Sequence, residues 1–313
     1  MHADGLRSVI AQSRGIETSQ IILGCGSSDL IFRVVPKFLE GDGPIVIPQP
    51  SYAEYRHVLT KLHGRDIASF YTDAEDFVLD VDKLTEFANS VDASAICLVN
   101  PCNPTGFALK RSEMQRLLDG IGNIRIVVDE TYIDYVGKEN SLEPLVEQYP
   151  NLLILKSVSK FYALSGMRIG YAVTSARAAK RFQLETPPYI VSTPGQMAAI
   201  AAFESEDYYV GRVQETHRLR ESFSAKLNKL PGLRVMPSNI NCVLLDLKDT
   251  GWTAAEFWSE MLSRKLLCRD IGHQGLTDPT RYVRIAVLGE DDNEKMLTMI
   301  SAVILSKHHV SSI

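Results

Sequence analysis

The chain has 313 residues, of which 45% are hydrophobic and 23% charged, with a formal net charge of −5 at pH 7. This composition is that of an ordinary globular protein, and the acidic balance without a basic stripe argues against a nucleic-acid partner. The N-terminus lacks the apolar segment of a signal peptide, and no apolar run approaches the roughly 18 residues that span a bilayer. We therefore expect a soluble, cytoplasmic protein without a membrane partner.

Short apolar runs alternate with amphipathic segments along the first two thirds of the chain. The runs predict strands at residues 44–47, 95–99, 124–128, 152–155 and 169–173. Amphipathic stretches at residues 29–39 and 111–118 predict helices, and Pro194 after Ser192 and Thr193 predicts another helix ending near residue 203. Strands that are apolar on both faces and separated by helices are typical of a mostly parallel sheet covered on both sides.

The pattern changes near Pro231 and Gly232, after a long predicted helix at residues 207–230. Strand-like segments follow at residues 241–247 and 282–288, and helix-like segments at residues 253–265 and 291–305. We therefore predict an α/β protein with a large domain at residues 1–206, a connecting helix at 207–230 and a small α+β domain at 231–313.

Neither a disulfide framework nor a zinc site is indicated by the cysteines. Their number is odd and no two have the spacing C-x-x-C, in the set Cys25, Cys97, Cys102, Cys242 and Cys268. We expect no bound metal.

The first segment with chemical potential is residues 24–29, GCGSSD, just before a helical pattern. Glycines let the backbone approach a ligand closely, and a helix N-terminus offers N–H groups to an anion. Alone, the segment is more typical of a plain turn before a helix, because glycine-rich helix starts are common.

The second segment is residues 100–106, NPCNPTG, directly after the predicted strand at 95–99. The prolines and the glycine fix the path of the turn. Asn103 then lies at the C-terminal end of a strand, where open α/β sheets bind ligands. A structural turn is the alternative.

The third segment is residues 127–132, VVDETY, in which Asp129 ends a strand that should be buried. A buried carboxylate is costly unless a positive partner meets it. A helix cap at the strand exit is the alternative.

The fourth segment is residues 157–171, SVSKFYALSGMRIGY. Lys160 lies among hydroxyl side chains, and Arg168 follows eight residues later. Hydroxyl donors, a guanidinium and one nucleophilic amine form a complete set for a phosphate-bearing ligand. A basic surface loop fits poorly, because the neighbouring residues are apolar.

With these four segments in this order, the chain resembles the fold-type I pyridoxal-phosphate enzymes of aminotransferase class I/II along nearly its whole length. Two branches of that family look nearest. Residues 188–194, PYIVSTP, are similar to histidinol-phosphate aminotransferases. Residues 50–55, PSYAEY, and 160–164, KFYAL, are similar to threonine-phosphate decarboxylases.

The resemblance implies that pyridoxal 5'-phosphate is the cofactor and that Lys160 binds it covalently and later moves the substrate's α-proton. Both tasks need a neutral amine, so its pKa must be lowered by desolvation or nearby positive charge. Asp129 should pair with the protonated ring nitrogen. Asn103 and Tyr132 should bond the phenolic oxygen of the ring, and Tyr52 should stack on its face. The residues implied to hold the cofactor phosphate are Gly26, Ser27, Ser28, Ser157, Ser159 and Arg168.

The resemblance also assigns three residues to substrate binding. Arg284 matches the arginine that holds the substrate carboxylate, although an exposed arginine on an edge strand is the alternative. Arg269 matches a second arginine in relatives that take phosphorylated substrates. Tyr189 would reach the active site of the partner subunit in a homodimer.

The family usually begins with an arm that crosses to the partner subunit and an asparagine-containing segment that closes over the substrate. The sequence starts at about the first helix of the large domain, so this arm is expected to be missing. Cys25 and Cys102 stand where relatives usually carry other small or polar residues.

Three functions remain open from the sequence. The first is transfer of an amino group between a small anionic, phosphorylated amino substrate and a 2-oxo acid, as in histidinol-phosphate aminotransferases. The second is decarboxylation of an O-phospho amino acid. The bond at Cα that stands perpendicular to the cofactor ring is the one that breaks, and the arginines decide whether this is the bond to hydrogen or to the carboxylate. The sequence shows two arginines but not which anion each one holds. The third is a non-catalytic relative, against which Lys160, Asp129 and Arg168 argue.

Overall fold

The computed structural model describes residues 3–308, which contain two β-sheets. The first sheet has β1 (Ile21–Gly24), β2 (Ile45–Gln49), β3 (Ile67–Tyr71), β4 (Ala95–Val99), β5 (Arg125–Asp129), β6 (Leu152–Ser157) and β7 (Gly170–Val173). The second has β8 (Arg234–Val235), β9 (Cys242–Asp246), β10 (Arg269–Asp270) and β11 (Tyr282–Ala286).

The α-helices cover these sheets and connect them. In chain order they are α1 (Asp4–Arg14), α2 (Gly26–Arg33), α3 (Val35–Phe38), α4 (Ala53–Arg56), α5 (Val81–Ser90), α6 (Arg111–Ile121), α7 (Ala176–Leu184), α8 (Thr193–Phe203), α9 (Glu206–Leu227), α10 (Ala254–Ser263) and α11 (Glu290–His308).

The first sheet has the order β1-β7-β6-β5-β4-β2-β3. Its neighbours from β3 to β6 are parallel, whereas β7 is antiparallel to both β6 and β1. The prediction of a mostly parallel sheet is thus confirmed. Strand β7 departs from it because the segment between β6 and β7 contains no crossover helix, which a parallel connection would need.

Helices cover both faces of this sheet, as predicted. Alternate side chains of each strand point to opposite faces, so Val128 lies in one buried cluster and Val127 in the other. Helices α1, α5, α6 and α8 contribute to the first cluster, and α2, α3, α4 and α7 to the second. The polar end of β5 is therefore held in place by two apolar layers.

The second sheet is antiparallel, in the order β10-β11-β9-β8. Its core is separate from that of the first sheet and includes Phe223 of α9, Phe257 of α10 and Ile300 of α11. The smaller α+β unit expected near the C-terminus is therefore present.

The helix predicted at residues 29–39 is divided in the structure into α2 and α3, which meet at Val34. Pro36 explains the division, because it has no N–H to continue the hydrogen-bond ladder of α2. The helix predicted at residues 207–230 ends earlier, at Leu227. Within residues 3–308, none of the helices combines the length and apolar character that crossing a bilayer requires.

Candidate functional site

A pocket of about 230 Å³ opens at the C-terminal ends of β4, β5 and β6, beside the start of α2. Its lining residues are Ser27, Ser28, Tyr52, Val99, Asn103, Asp129, Thr131, Tyr132, Ser157, Ser159, Lys160, Ser165 and Arg168. The four sequence segments therefore meet in one place, at the edge where open α/β sheets bind ligands.

Asp129 ends β5 on the inner wall of the pocket and is only 5% exposed. The Tyr55 hydroxyl donates to its Oδ2 at 2.6 Å, and the backbone N–H of Thr131 donates to its Oδ1 at 2.9 Å. Burial raises the pKa of the Asp129 carboxyl, and these hydrogen bonds oppose the rise. Within residues 3–308, no ion pair joins Asp129 to a cationic side chain, so the carboxylate is suited to a cationic ligand.

Lys160 lies on the segment between β6 and β7 and keeps contact with solvent in the pocket. Its carbonyl accepts from the backbone N–H of Ala163 at 3.1 Å and from the Tyr135 hydroxyl at 3.5 Å, which holds the turn. Desolvation, followed by the charges of Arg284 and Arg168, lowers the pKa of the Lys160 amine. The site thus favours the neutral, nucleophilic form of this amine.

Two glycines allow Arg168 to approach the start of α2. Gly26 has φ +80°, and a Cβ placed there would lie 2.2 Å from Nη2 of Arg168. A Cβ at Gly170 would lie 2.5 Å from the backbone nitrogen of Ser27. A side chain at Gly170 would collide with the backbone, and one at Gly26 would displace the guanidinium, so β7 and α2 meet closely and place Arg168 beside the helix N-terminus.

Hydroxyl groups complete this cradle around Arg168 and α2. The backbone N–H of Ser159 donates to the hydroxyl of Ser157 at 3.2 Å, and both side chains line the pocket. Ser27 and Ser28 lie across from them, and the Ser28 hydroxyl is 3.5 Å from Oε2 of Glu54. Guanidinium, hydroxyl and helix N–H donors together are suited to a phosphate group.

The loop after β4 holds Asn103 at the pocket. Asn100 closes this loop by bonding Leu109 twice, accepting from its N–H at 2.8 Å and donating to its carbonyl at 3.2 Å. The side-chain oxygen of Asn103 accepts a hydrogen bond from Nη1 of Arg284. This bond joins the large sheet to β11.

Arg284 and Arg269 are cross-strand partners in the pair β10–β11. Arg284 is half-buried and Arg269 is exposed, and neither is among the residues that line the pocket. Burial and the carboxylate of Glu54 raise the pKa of Tyr52, and the charge of Arg269 opposes that rise. The charge of Arg269 therefore reaches Tyr52, which lines the pocket.

Tyr132 and Tyr189 differ in where the structure places them. Tyr132 is buried at the pocket wall, and burial raises the pKa of its phenol well above the ordinary value. Tyr189 is 78% exposed and lies on a separate groove with Leu184 and Pro187. The structure of one chain does not bring Tyr189 to the pocket.

Three residues that bond Asp129 or line the pocket were not predicted as site residues from the sequence: Tyr55, Thr131 and Ser165. Tyr55 had a detectable signal, because it lies three residues after Tyr52 and shares one helical turn with it. No comparable signal marked Thr131 or Ser165. Within residues 3–308, no group of histidine, cysteine and acidic side chains could hold a metal ion.

Comparison with known proteins gives one consistent family. The sequence model of aminotransferase class I and II matches residues 1–300. Histidinol-phosphate aminotransferase 2 of Archaeoglobus fulgidus is 32% identical over 298 residues, which are 95% of this chain and 82% of that protein.

Solved structures of the same fold include a decarboxylase and an aminotransferase. The L-threonine-O-3-phosphate decarboxylase of Porphyromonas gingivalis has a TM-score of 0.83 and 25% identity, covering 97% of this chain and 89% of that one. Histidinol-phosphate aminotransferase of Sinorhizobium meliloti, solved with pyridoxal-5'-phosphate, has a TM-score of 0.87 and 23% identity, covering 97% and 82%. The chain belongs to the aminotransferase class I and II family.

Proposed function

We propose that the protein is a pyridoxal-phosphate-dependent aminotransferase that moves an amino group between a small anionic, phosphorylated amino substrate and a 2-oxo acid. The observation that carries this proposal is the single pocket in which the Lys160 amine, the buried Asp129 carboxylate and the Arg168 cradle meet. Similarity to histidinol-phosphate aminotransferases over most of the chain supports the substrate class.

The donor set fits pyridoxal phosphate at three points. The cradle of Arg168, Ser157 and the start of α2 is suited to its phosphate, and Gly26 leaves the space that this cradle needs. Asp129 is a buried carboxylate hydrogen-bonded by neutral donors, and it is suited to a protonated ring nitrogen. The lowered pKa of Lys160 suits an amine that attacks an aldehyde.

When bound, the cofactor supplies a cationic ring that withdraws electrons from the substrate's Cα. Asp129 would keep that ring charged, and Tyr52, which also lines the pocket, would stack on its face. The amide nitrogen of Asn103 and the hydroxyl of Tyr132 would donate hydrogen bonds to the phenolic oxygen of the ring. Lys160, with its lowered pKa, takes the α-proton as a neutral amine and returns it as an ammonium.

Two arginines set the charge of the preferred substrate. Arg284, which Asn103 orients, is proposed to bind one anionic group, and its cross-strand neighbour Arg269 a second. Bidentate contacts from arginine to carboxylate or phosphate are strong and depend on geometry. A substrate that carries only one anion leaves one of these contacts unmade.

Reduction with borohydride followed by mass spectrometry tests the cofactor assignment. We expect the purified protein to be yellow and the label to be on Lys160. A label on another lysine, or none, contradicts the proposal. Incubation with phosphorylated amino substrates then tests the reaction, for which we expect keto acid that depends on an added 2-oxo acid.

The second candidate function is decarboxylation of a phosphoamino acid. The structural similarity of this chain to the Porphyromonas gingivalis decarboxylase favours it. The two reactions share all the cofactor residues. If Arg284 holds a side-chain phosphate instead of the carboxylate, the carboxylate is free to turn perpendicular to the ring. Release of CO₂ without any requirement for a 2-oxo acid identifies this case.

We also propose a homodimer and a division into three parts. The exposure of Tyr189 supports a role for it at the partner's site, in an interface of roughly 2,000 Å² or more. Sedimentation of the pure protein tests the dimer, and a fully active monomer at all concentrations contradicts it.

The separate cores of the two sheets support a large domain at residues 1–206 and a small one at 231–313, joined by a helix within residues 207–230.

A further inference from the structure

Tyr55 makes the shortest described hydrogen bond to the carboxylate at the centre of the site. It lies in α4, is fully buried, and donates from its hydroxyl to Oδ2 of Asp129 at 2.6 Å. Its ring packs edge-on against Tyr52, with ring centroids 6.2 Å apart. The same helical turn therefore carries one tyrosine that faces the pocket and one that lies behind it.

A neutral donor is the group that Asp129 needs at this place. A lysine or arginine here would neutralise the carboxylate and remove its attraction for a cationic ligand. An apolar side chain would leave Oδ2 buried without a partner, which is costly. A phenol satisfies the oxygen and leaves the negative charge on Asp129 intact.

The protonation of Tyr55 itself is secure across the working pH range. Burial, followed by the nearby charge of Asp129, raises the pKa of its phenol far above the ordinary value. The phenol therefore stays a donor, and its bond opposes the rise that burial causes in the pKa of Asp129. The Thr131 N–H holds the other oxygen at 2.9 Å, so both oxygens have a fixed direction.

We infer that Tyr55 is a positioning residue that orients Asp129 and keeps it ionised for a cationic ring nitrogen. This role rests on the proposed function only in the identity of that cation. The effect on Asp129 belongs to the chain alone and can be measured without the cofactor.

The test compares Tyr55→Phe with Tyr171→Phe in the full-length protein. Tyr171 is a matched control, because it is also buried and its hydroxyl also donates to a carboxylate, Oε1 of Glu143 at 3.0 Å. It does not line the pocket. The Asp129 carboxyl is followed by ¹³C NMR as a function of pH without cofactor, with Asp129→Asn used for assignment. Affinity for pyridoxal phosphate is followed by absorbance.

For Tyr55→Phe we expect a higher pKa of Asp129 and about tenfold or greater weakening of cofactor binding, since a hydrogen bond to a charged group is lost. We expect Tyr171→Phe to leave both quantities unchanged. In the Asp129→Asn background, Tyr55→Phe should weaken cofactor binding much less than it does alone, because coupled residues are not additive.

An unchanged Asp129 titration in Tyr55→Phe overturns the inference, as does an equal change in Tyr171→Phe. If the unmodified protein binds no pyridoxal phosphate, the proposed function fails. The carboxyl titration still decides the role of Tyr55 in that case.

Discussion

Replacing Gly26 by alanine should damage cofactor binding and leave the fold nearly intact. Gly26 has φ +80°, a conformation that costs an alanine about 1–2 kcal/mol. Its new Cβ would lie 2.2 Å from Nη2 of Arg168, which has to move because this distance is below any real contact. The end of an arginine side chain moves easily, so the loss falls on the phosphate cradle.

Gly15→Ala is the matched control for backbone strain. Gly15 has φ +66° and ends α1, but no atom lies within 4 Å of a Cβ placed there. The free energy of unfolding should therefore fall by the same amount in both variants, about 1–2 kcal/mol. Only Gly26→Ala should also lose a charged hydrogen bond to the phosphate, which corresponds to roughly tenfold weaker binding or more.

Thermal unfolding and titration with pyridoxal phosphate measure these two quantities in each variant. Normal cofactor affinity in Gly26→Ala refutes the assignment of the cradle. Equal loss of affinity in Gly15→Ala attributes the effect to backbone strain and refutes the steric argument.

Three further changes test other parts of the structure. Asp129→Asn should retain cofactor while turnover falls by more than about 2 kcal/mol in activation free energy, because a paired buried charge is removed; near-normal turnover contradicts this. Arg269→Leu should reduce the preference for phosphorylated over plain substrates roughly tenfold or more in kcat/KM, and an unchanged ratio contradicts it. Arg14 bonds Asp134 at 2.6 Å and Glu143 at 2.8 Å, so Arg14→Met should destabilise the fold by about 3–5 kcal/mol. Burial alone would raise the pKa of the Asp134 and Glu143 carboxyls, but the charge of Arg14 keeps both pKa values below the ordinary value. The ion pairs therefore stabilise the fold fully above the ordinary carboxyl pKa, and this stabilisation is lost as the pH falls through the lowered pKa values. Acid unfolding followed by circular dichroism should therefore begin at higher pH in Arg14→Met, and an unmoved midpoint contradicts the argument.

Five strands of the large sheet, β2 and β4 to β7, and the helices α2, α6 and α8 were predicted because their residues obey local rules. Burial on both faces made β4, β5 and β6 readable as apolar runs, and α8 begins at Thr193 as Ser192 and Pro194 predict. Strand β3 was not predicted, because it lies only partly buried at the sheet edge and its sequence, IASFY, shows neither a continuous apolar run nor a clear alternation of polar and apolar residues. The antiparallel direction of β7 depends on a long-range pairing that no local pattern encodes.

The pocket residues were predictable where a motif marked them, and the network behind them was not. Lys156 is buried between Glu130 and Glu143, with its Nζ 3.5 Å from a carboxylate oxygen of each. These residues come from three separate parts of the chain, and each resembles an ordinary surface charge in the sequence. Only the fold shows that Lys156, which precedes Ser157 in β6, meets both Glu130, which follows Asp129, and Glu143.

The loop that holds Asn103 is also the loop on which the small sheet rests. The carbonyl of Gly106 accepts from the backbone N–H of Asn239 at 2.9 Å and from its side-chain nitrogen at 3.0 Å. A Cβ at Gly106 would lie 2.1 Å from the Ser238 hydroxyl, so only glycine permits this approach. Because Asn103 also accepts from Arg284, one short loop fixes a proposed cofactor contact and the position of a proposed substrate arginine. If both proposed roles hold, any shift of the small sheet that moves Arg284 relative to Asn103 would couple the recognition of the substrate's anion to the hydrogen bonding of the ring.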